Sequence, residues 1–283
     1  MAISSILRYS LLNLALVGVL ALGVNSCAAP EETTTDAAAT ATSSDSSDDN
    51  SSSTDELSTT ISYKVKGFVQ KGPFVQGTEI TARELDPSLT PTGRTFTGTI
   101  ENNTGRFTAK GNLVHSIVEL SANGYYFNEV AGSLSNSALT LQALANLTEG
   151  TSVNVNLMTH LERKRVEQLI ETGTTFMQAK SQAQSEIMKI FNIENVKVGN
   201  SESLDISQSG DGNAVLLAIS AILQSDKSEA ELTELLSAIN TDIRYDGTLD
   251  ISATKQKLLD GVDYIKPRIA TIRSNIETRY TNL

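Results

Sequence analysis

The chain has 283 residues, with 22 Lys and Arg against 33 Asp and Glu and a formal net charge of −11 at pH 7. An acidic chain with no basic run offers no path for a phosphate backbone, which argues against nucleic acid as a partner. One cysteine and two histidines leave no disulfide, no iron–sulfur cluster and too few ligands for zinc, so neither a metal nor a cofactor is expected.

Residues 1–26 have the parts of a secretory signal: a short start with one cation (Arg8), an apolar run over 11–24, then small residues. The run has 14 residues, whereas a bilayer span needs about 20, so a removable signal peptide is expected rather than a transmembrane helix. The stretch Val24-Asn25-Ser26-Cys27 resembles the lipobox of bacterial lipoproteins, with an aliphatic residue three places before the cysteine and a small one directly before it. The resemblance implies diacylglycerol on the Cys27 sulfur, cleavage before Cys27 and acylation of the new amine. Two or more such chains, palmitate among them, anchor stably where one does not. Ala28 and Ala29 follow the cysteine, and by the same resemblance this implies the outer membrane, on its periplasmic or cell-surface face.

Residues 27–60 join that lipidated cysteine to the rest of the chain. Beyond Cys27 they are Ser, Thr, Ala and acid, with Glu31, Glu32, Asp36, Asp45, Asp48, Asp49, Asp55 and Glu56 meeting no base. Low hydrophobicity and charge of one sign predict a disordered tether. As a coil it would span on the order of 30 Å. Its acids and Arg8 account for all but −4 of the net charge, so the remainder is only mildly acidic.

From Ile61 the texture becomes β-prone, and a β-sandwich domain is expected over 61–157. Ile61, Tyr63 and Val65 alternate with polar partners, as a half-buried strand should. Further strands are predicted over 79–85, 95–101, 106–108 and 116–120, with a loop at 87–93. Asn123-Gly124 suits a two-residue hairpin into Tyr125-Tyr126-Phe127. Short strands at such intervals point to an antiparallel sandwich. The order Gly67-Phe68-Val69, Gly77 to Ile80, Thr92 to Phe96, Gly105-Arg106-Phe107 and Val118 to Tyr125 resembles carboxypeptidase-regulatory-like, prealbumin-like modules. That resemblance implies a non-catalytic accessory unit. The aromatic run could stack on a glycan, although the periodicity favours core packing.

A helical domain is expected over 158–283. Thr159 with Glu162 three places on reads as a capped helix start, and Gly173 as its stop. A second helix is predicted over 175–191. Residues 214–223 are almost wholly apolar, as suits the centre of a bundle. Ser228 with Glu231 forms a capping box, and the last apolar stripe, from Leu258 to Tyr280, is interrupted at Pro267. The expected fold class is α+β: a small antiparallel β-sandwich followed by an all-α helical bundle.

Little chemistry is readable. His160 sits at a predicted helix start with no obvious nucleophile, and His115 at a strand edge. The stretch Asp205 to Asp211 echoes a calcium loop, but Leu216 stands where the closing Glu belongs. No catalytic residue is assigned. Residues 72–74, 124–130, 153–162 and 216–224 resemble a family of bacterial lipoproteins of unassigned function, common in Bacteroidetes and Fibrobacter-like organisms. Taken together, these readings lead to a membrane-anchored lipoprotein acting as a non-enzymatic binding, adhesion or envelope-assembly module. Its expected partners are the membrane, through the lipid, and an envelope or surface protein. The competing readings are a polymer-acting hydrolase built on His160 or on Asp205 and Asp211, and a glycan- or nutrient-capture lipoprotein.

Overall fold

A computed structural model describes residues 60–281; the expected signal peptide, Cys27 and all but the last residue of the expected tether lie outside them. Nine strands come first: β1 (Ile61–Gln70), β2 (Glu79–Leu85), β3 (Pro91–Ile100), β4 (Arg106–Leu113), β5 (Ile117–Gly124), β6 (Phe127–Asn128), β7 (Ser133–Leu134), β8 (Leu139–Asn146) and β9 (Val155–Asn156). Six helices follow: α1 (Leu157–Glu171), α2 (Phe176–Ile190), α3 (Asp211–Gln224), α4 (Glu229–Asp242), α5 (Ser252–Ile265) and α6 (Ile269–Thr281).

Seven strands form one sheet in the order β8-β5-β2-β3-β4-β1-β9. Its neighbours are antiparallel except β1 and β9, which run parallel through Val69 opposite Val155 and Gln70 opposite Asn156. The sheet curls until β8 and β9 touch, making a nearly closed barrel. Alternation decides which side faces in. Val65 and Val69 of β1, Ile80 and Ala82 of β2, and Phe107, Ala109 and Leu113 of β4 are buried at every second position.

The expected sandwich followed by a separate bundle is therefore corrected. Short alternating strands with frequent turns describe a sandwich and a curled sheet equally well. The difference lies in long-range pairing. Ile61 pairs with Leu113, and the short β9 joins the far edge, so no second sheet is needed to bury the inner face. Nor do the helices form a core of their own. One apolar cluster runs from Val65 in β1 through Leu161 and Val215 to Ile276 in α6. A smaller cluster packs Val166, Leu169, Ala179 and Ala183 of α1 and α2 onto Leu85, Ile117 and Leu144 on the outside of the sheet. The coarser description, α+β with the β part first, stands.

Two local expectations also change. Asn123 and Gly124 are not a hairpin turn. They continue β5, opposite Thr140 and Leu139 of β8, and a Cβ on Gly124 would come within 2.5 Å of the Thr78 side chain. Glycine serves close approach there, not turning. Helix α1 starts earlier than Thr159: Asn156 is the N-cap, its side chain accepting from the Thr159 N–H, while the Thr159 hydroxyl accepts from the Asn156 N–H. The Ser228 box, with Glu231 reaching back, caps α4 as expected. Pro267 lies in the single 3-10 turn that separates α5 from α6.

Candidate functional site

A cleft of about 540 Å³ opens between strand β8, helix α1, helix α4 and the loop after α4, within the roughly 300–1,000 Å³ of small-molecule sites. Helix α1 brings His160, Arg163 and Lys164 to it, spaced i, i+3 and i+4 on one face. Helix α4 answers with Thr233, Ser237, Asn240 and Thr241, spaced i, i+4, i+7 and i+8. Arg244 and Tyr245 follow just past the end of α4. Three cations line the cleft, and no Asp or Glu does.

The cations differ in what holds them. The Arg163 guanidinium donates through Nη2 to Glu167 at 2.9 Å and Glu119 at 3.5 Å, and through Nη1 to Gln142 at 3.2 Å. Lys164 pairs with Glu167 at 3.2 Å. Two carboxylates thus neutralise two cations. Arg244 has no carboxylate partner among the described residues; its guanidinium lies over the Tyr245 ring, 5.3 Å from the centroid. Tyr245 itself is 70% exposed.

Arg165, on the next face of α1, fixes the loop that presents this pair. It grips Glu186 through Nε at 2.7 Å and Nη2 at 3.0 Å, and its Nη1 donates to the carbonyls of Arg244 and Tyr245. The loop is set before any ligand arrives.

Six buried side-chain nitrogen or oxygen atoms lack a hydrogen-bond partner among the described residues, and four belong to residues of this one cleft: His160 Nδ1, Arg163 Nε, Asn240 Oδ1 and Arg244 Nε. An unmade buried hydrogen bond costs about 1–3 kcal/mol. All four atoms are themselves shut from solvent, so they lie behind the cleft wall and not on its open surface. Burial, and then the Arg163 charge, push His160 down from 6.5 to about 4, so its imidazole is neutral at pH 7.

A second cleft, of about 280 Å³, is different in kind. Lys180 reaches Glu162 at 2.8 Å and Glu202 at 2.5 Å, and Ser201 Oγ donates to Glu162. Burial pulls the Lys180 ammonium down, but the two carboxylates outweigh it and hold it above the ordinary lysine value. The charges there satisfy one another.

A third cluster is sealed in the core. Lys71 and Glu129 are both fully buried and 2.5 Å apart, and Ser220 Oγ lies 2.7 Å from the same Glu129 oxygen. Lys, Glu and Ser so arranged resemble a nucleophile and its base in composition only. Ser220 bonds the Lys71 carbonyl, at 2.9 Å, not its amine, and it is shut from solvent.

The residues singled out in the sequence fall as follows. Cys27 lies outside the described residues. His160 lines the first cleft, whereas His115 sits between β4 and β5, its N–H on Glu84. Asp205 is buried, accepting from Gln70 and from Ser207, and Asp211 opens α3; neither lines either cleft. Among the described residues no group of three or more His, Cys, Asp or Glu is placed to hold a metal ion. Tyr126 is fully buried, stacked near Phe74 and donating to Gln224 at 2.8 Å, and Phe127 is buried with it, so only Tyr125 faces solvent. Arg163, Asn240, Arg244 and Tyr245 went unnoticed in the sequence. Their one signal is a polar helical stripe, and a solvated face gives the same stripe. No family model, no curated protein and no solved structure matches the chain. No helix among the described residues is long and apolar enough to cross a membrane.

Proposed function

We propose that the protein is a lipoprotein held at the outer membrane by acyl chains on Cys27, and that its folded part is a non-enzymatic module binding a small polar ligand in the β8–α1–α4 cleft. The observation that carries the binding reading is a cleft lined by three cations and no carboxylate, in which Arg244 has no carboxylate partner among the described residues and lies beside the exposed Tyr245 ring. Among the described residues His160 has neither a carboxylate to orient its imidazole nor a hydroxyl or thiol bonded to it, which favours binding over hydrolysis. The lipobox-like stretch ending at Cys27 supports the anchor, and the acidic tether would hold the folded part clear of an anionic surface.

The test has two arms. Cys27→Ala should move the protein out of the membrane fraction and abolish acyl labelling, with an unchanged circular dichroism spectrum. Thermal-shift measurements on the full chain against small sugars, organic acids and phosphates should find one class that raises Tm, and Arg244→Gln should lose the effect. Acyl label retained by Cys27→Ala would contradict the anchor, and a Tm indifferent to every class would contradict the binding module.

A further inference from the structure

We propose that the cleft takes a carboxylate-bearing sugar, a uronate unit of an acidic saccharide, with its carboxylate on Arg244 and its ring against Tyr245. The inference rests on the binding module proposed above and names its ligand class. Charge comes first. Because Glu119 and Glu167 neutralise Arg163 and Lys164, the cleft has a single uncompensated cation, Arg244. One open guanidinium matches a monoanion that can accept a fork of two hydrogen bonds, as a carboxylate does. A phosphate dianion would ask for more.

The hydrogen-bond inventory adds a second constraint. The lining mixes senses: Arg163, Lys164 and Arg244 only donate, whereas the Asn240 and Gln142 amides and the Thr140 and Ser237 hydroxyls both donate and accept. A ligand lying along it must both accept and donate. Sugar hydroxyls do so at every carbon. The remaining lining is mixed: Thr140, Thr233, Ser237 and Thr241 carry hydroxyls, those of Thr233 and Thr241 donating to helix carbonyls, and Ala138, Leu139 and Leu236 supply apolar surface.

The third constraint is the rim. Tyr245 is an exposed aromatic ring whose backbone is tied down by Arg165 and whose face carries the Arg244 cation. Aromatic rings bind flat apolar faces at low conformational cost, and a pyranose presents one such face of C–H groups. Platform and cation are adjacent in sequence and held by one guanidinium, so carboxylate and ring would be recognised as a unit. An acidic peptide also has a carboxylate, but its extended backbone offers no flat face of C–H groups to the Tyr245 ring.

The experiment is calorimetric titration of the full chain, with four probes: an oligogalacturonate, the neutral oligogalactose of the same length, a Glu-rich peptide and inorganic phosphate. The uronate should bind one to one, at least about tenfold more tightly than its neutral counterpart, since a charge-assisted pair is worth a factor of ten or more. Arg244→Gln should erase that discrimination and Arg244→Lys restore part of it. Asn240→Ala should weaken both sugars alike. Unfolding midpoints within about 2 °C of the parent would separate lost binding from lost fold. If the neutral sugar binds equally well, or the peptide or phosphate binds more tightly, the uronate assignment is wrong while the binding module stands. If all four probes fail but the thermal-shift panel finds another class, the assignment is again wrong. Failure of every compound in both experiments would remove the binding module as well.

Discussion

Replacing Lys71 by Met should cost about 3–5 kcal/mol, because it leaves the Glu129 carboxylate buried without its cation. Both side chains are fully buried, and Glu129 keeps only the Ser220 hydroxyl on Oε1, its Oε2 having no partner. Burial alone holds the Lys71 amine below its ordinary value even with Glu129 beside it, so desolvation outweighs attraction at this position. The double variant Lys71→Met/Glu129→Leu removes the stranded charge as well as the pair. It should be more stable than either single variant and within about 2 kcal/mol of the parent, since apolar replacements of buried pairs are often neutral or better. Native stabilities run at about 5–15 kcal/mol, so the single change should lower Tm by roughly 6–20 °C for a folded part of this size. Urea unfolding followed at 222 nm, with unchanged m-values, gives the three energies. A single variant costing under about 1 kcal/mol, or a double variant as unstable as the two singles summed, would show that the pair is not coupled as described.

The remaining predictions concern the cleft. His160 has a folded value of about 4 against 6.5 unfolded, so the unfolded chain takes up its proton first as pH falls. Its contribution is therefore complete above about pH 6.5 and is lost as pH drops toward 4, by about 2–3 kcal/mol after allowing for its partial exposure. His160→Gln should flatten that part of the stability profile between pH 7.5 and 4.5; an unchanged slope would contradict the shift. Gly247 has φ +76°, and a Cβ there would stand 2.1 Å from the Glu186 carboxyl carbon. Gly247→Ala should cost about 1–3 kcal/mol and weaken ligand binding, by disturbing the Glu186–Arg165 clamp that fixes Arg244 and Tyr245. Unaltered affinity in that variant would mean the clamp does not position the pair.

Much of the element order was legible because local signals and tertiary structure agree. Strand β2 has the bounds that its alternation suggests, Ser228 and Glu231 cap α4, the apolar run at 214–223 is buried throughout, and Pro267 breaks the final helix. What was not legible depends on partners distant in the chain. Nothing near Ile61 says that it faces Leu113, and two residues of β9 carry too little pattern to announce a parallel edge. Asn123-Gly124 reads as a turn because the same pair serves turns and close contacts. The cleft was hidden for a related reason: His160, Arg163 and Lys164 on one helix and Ser237, Asn240 and Thr241 on another look like two solvated faces until the fold sets them opposite each other. Arg244 becomes distinctive only once every neighbouring carboxylate is seen to be engaged elsewhere.

The most direct measurement is the ¹H–¹⁵N spectrum of the arginine Nε groups, recorded while oligogalacturonate is added. The Arg244 Nε signal should shift and saturate as its guanidinium is engaged, while Arg279 Nε, whose residue does not line the cleft, stays in place. If the Arg244 signal is unmoved when the protein is saturated by any ligand it binds, Arg244 is not the recognition group, and the account fails.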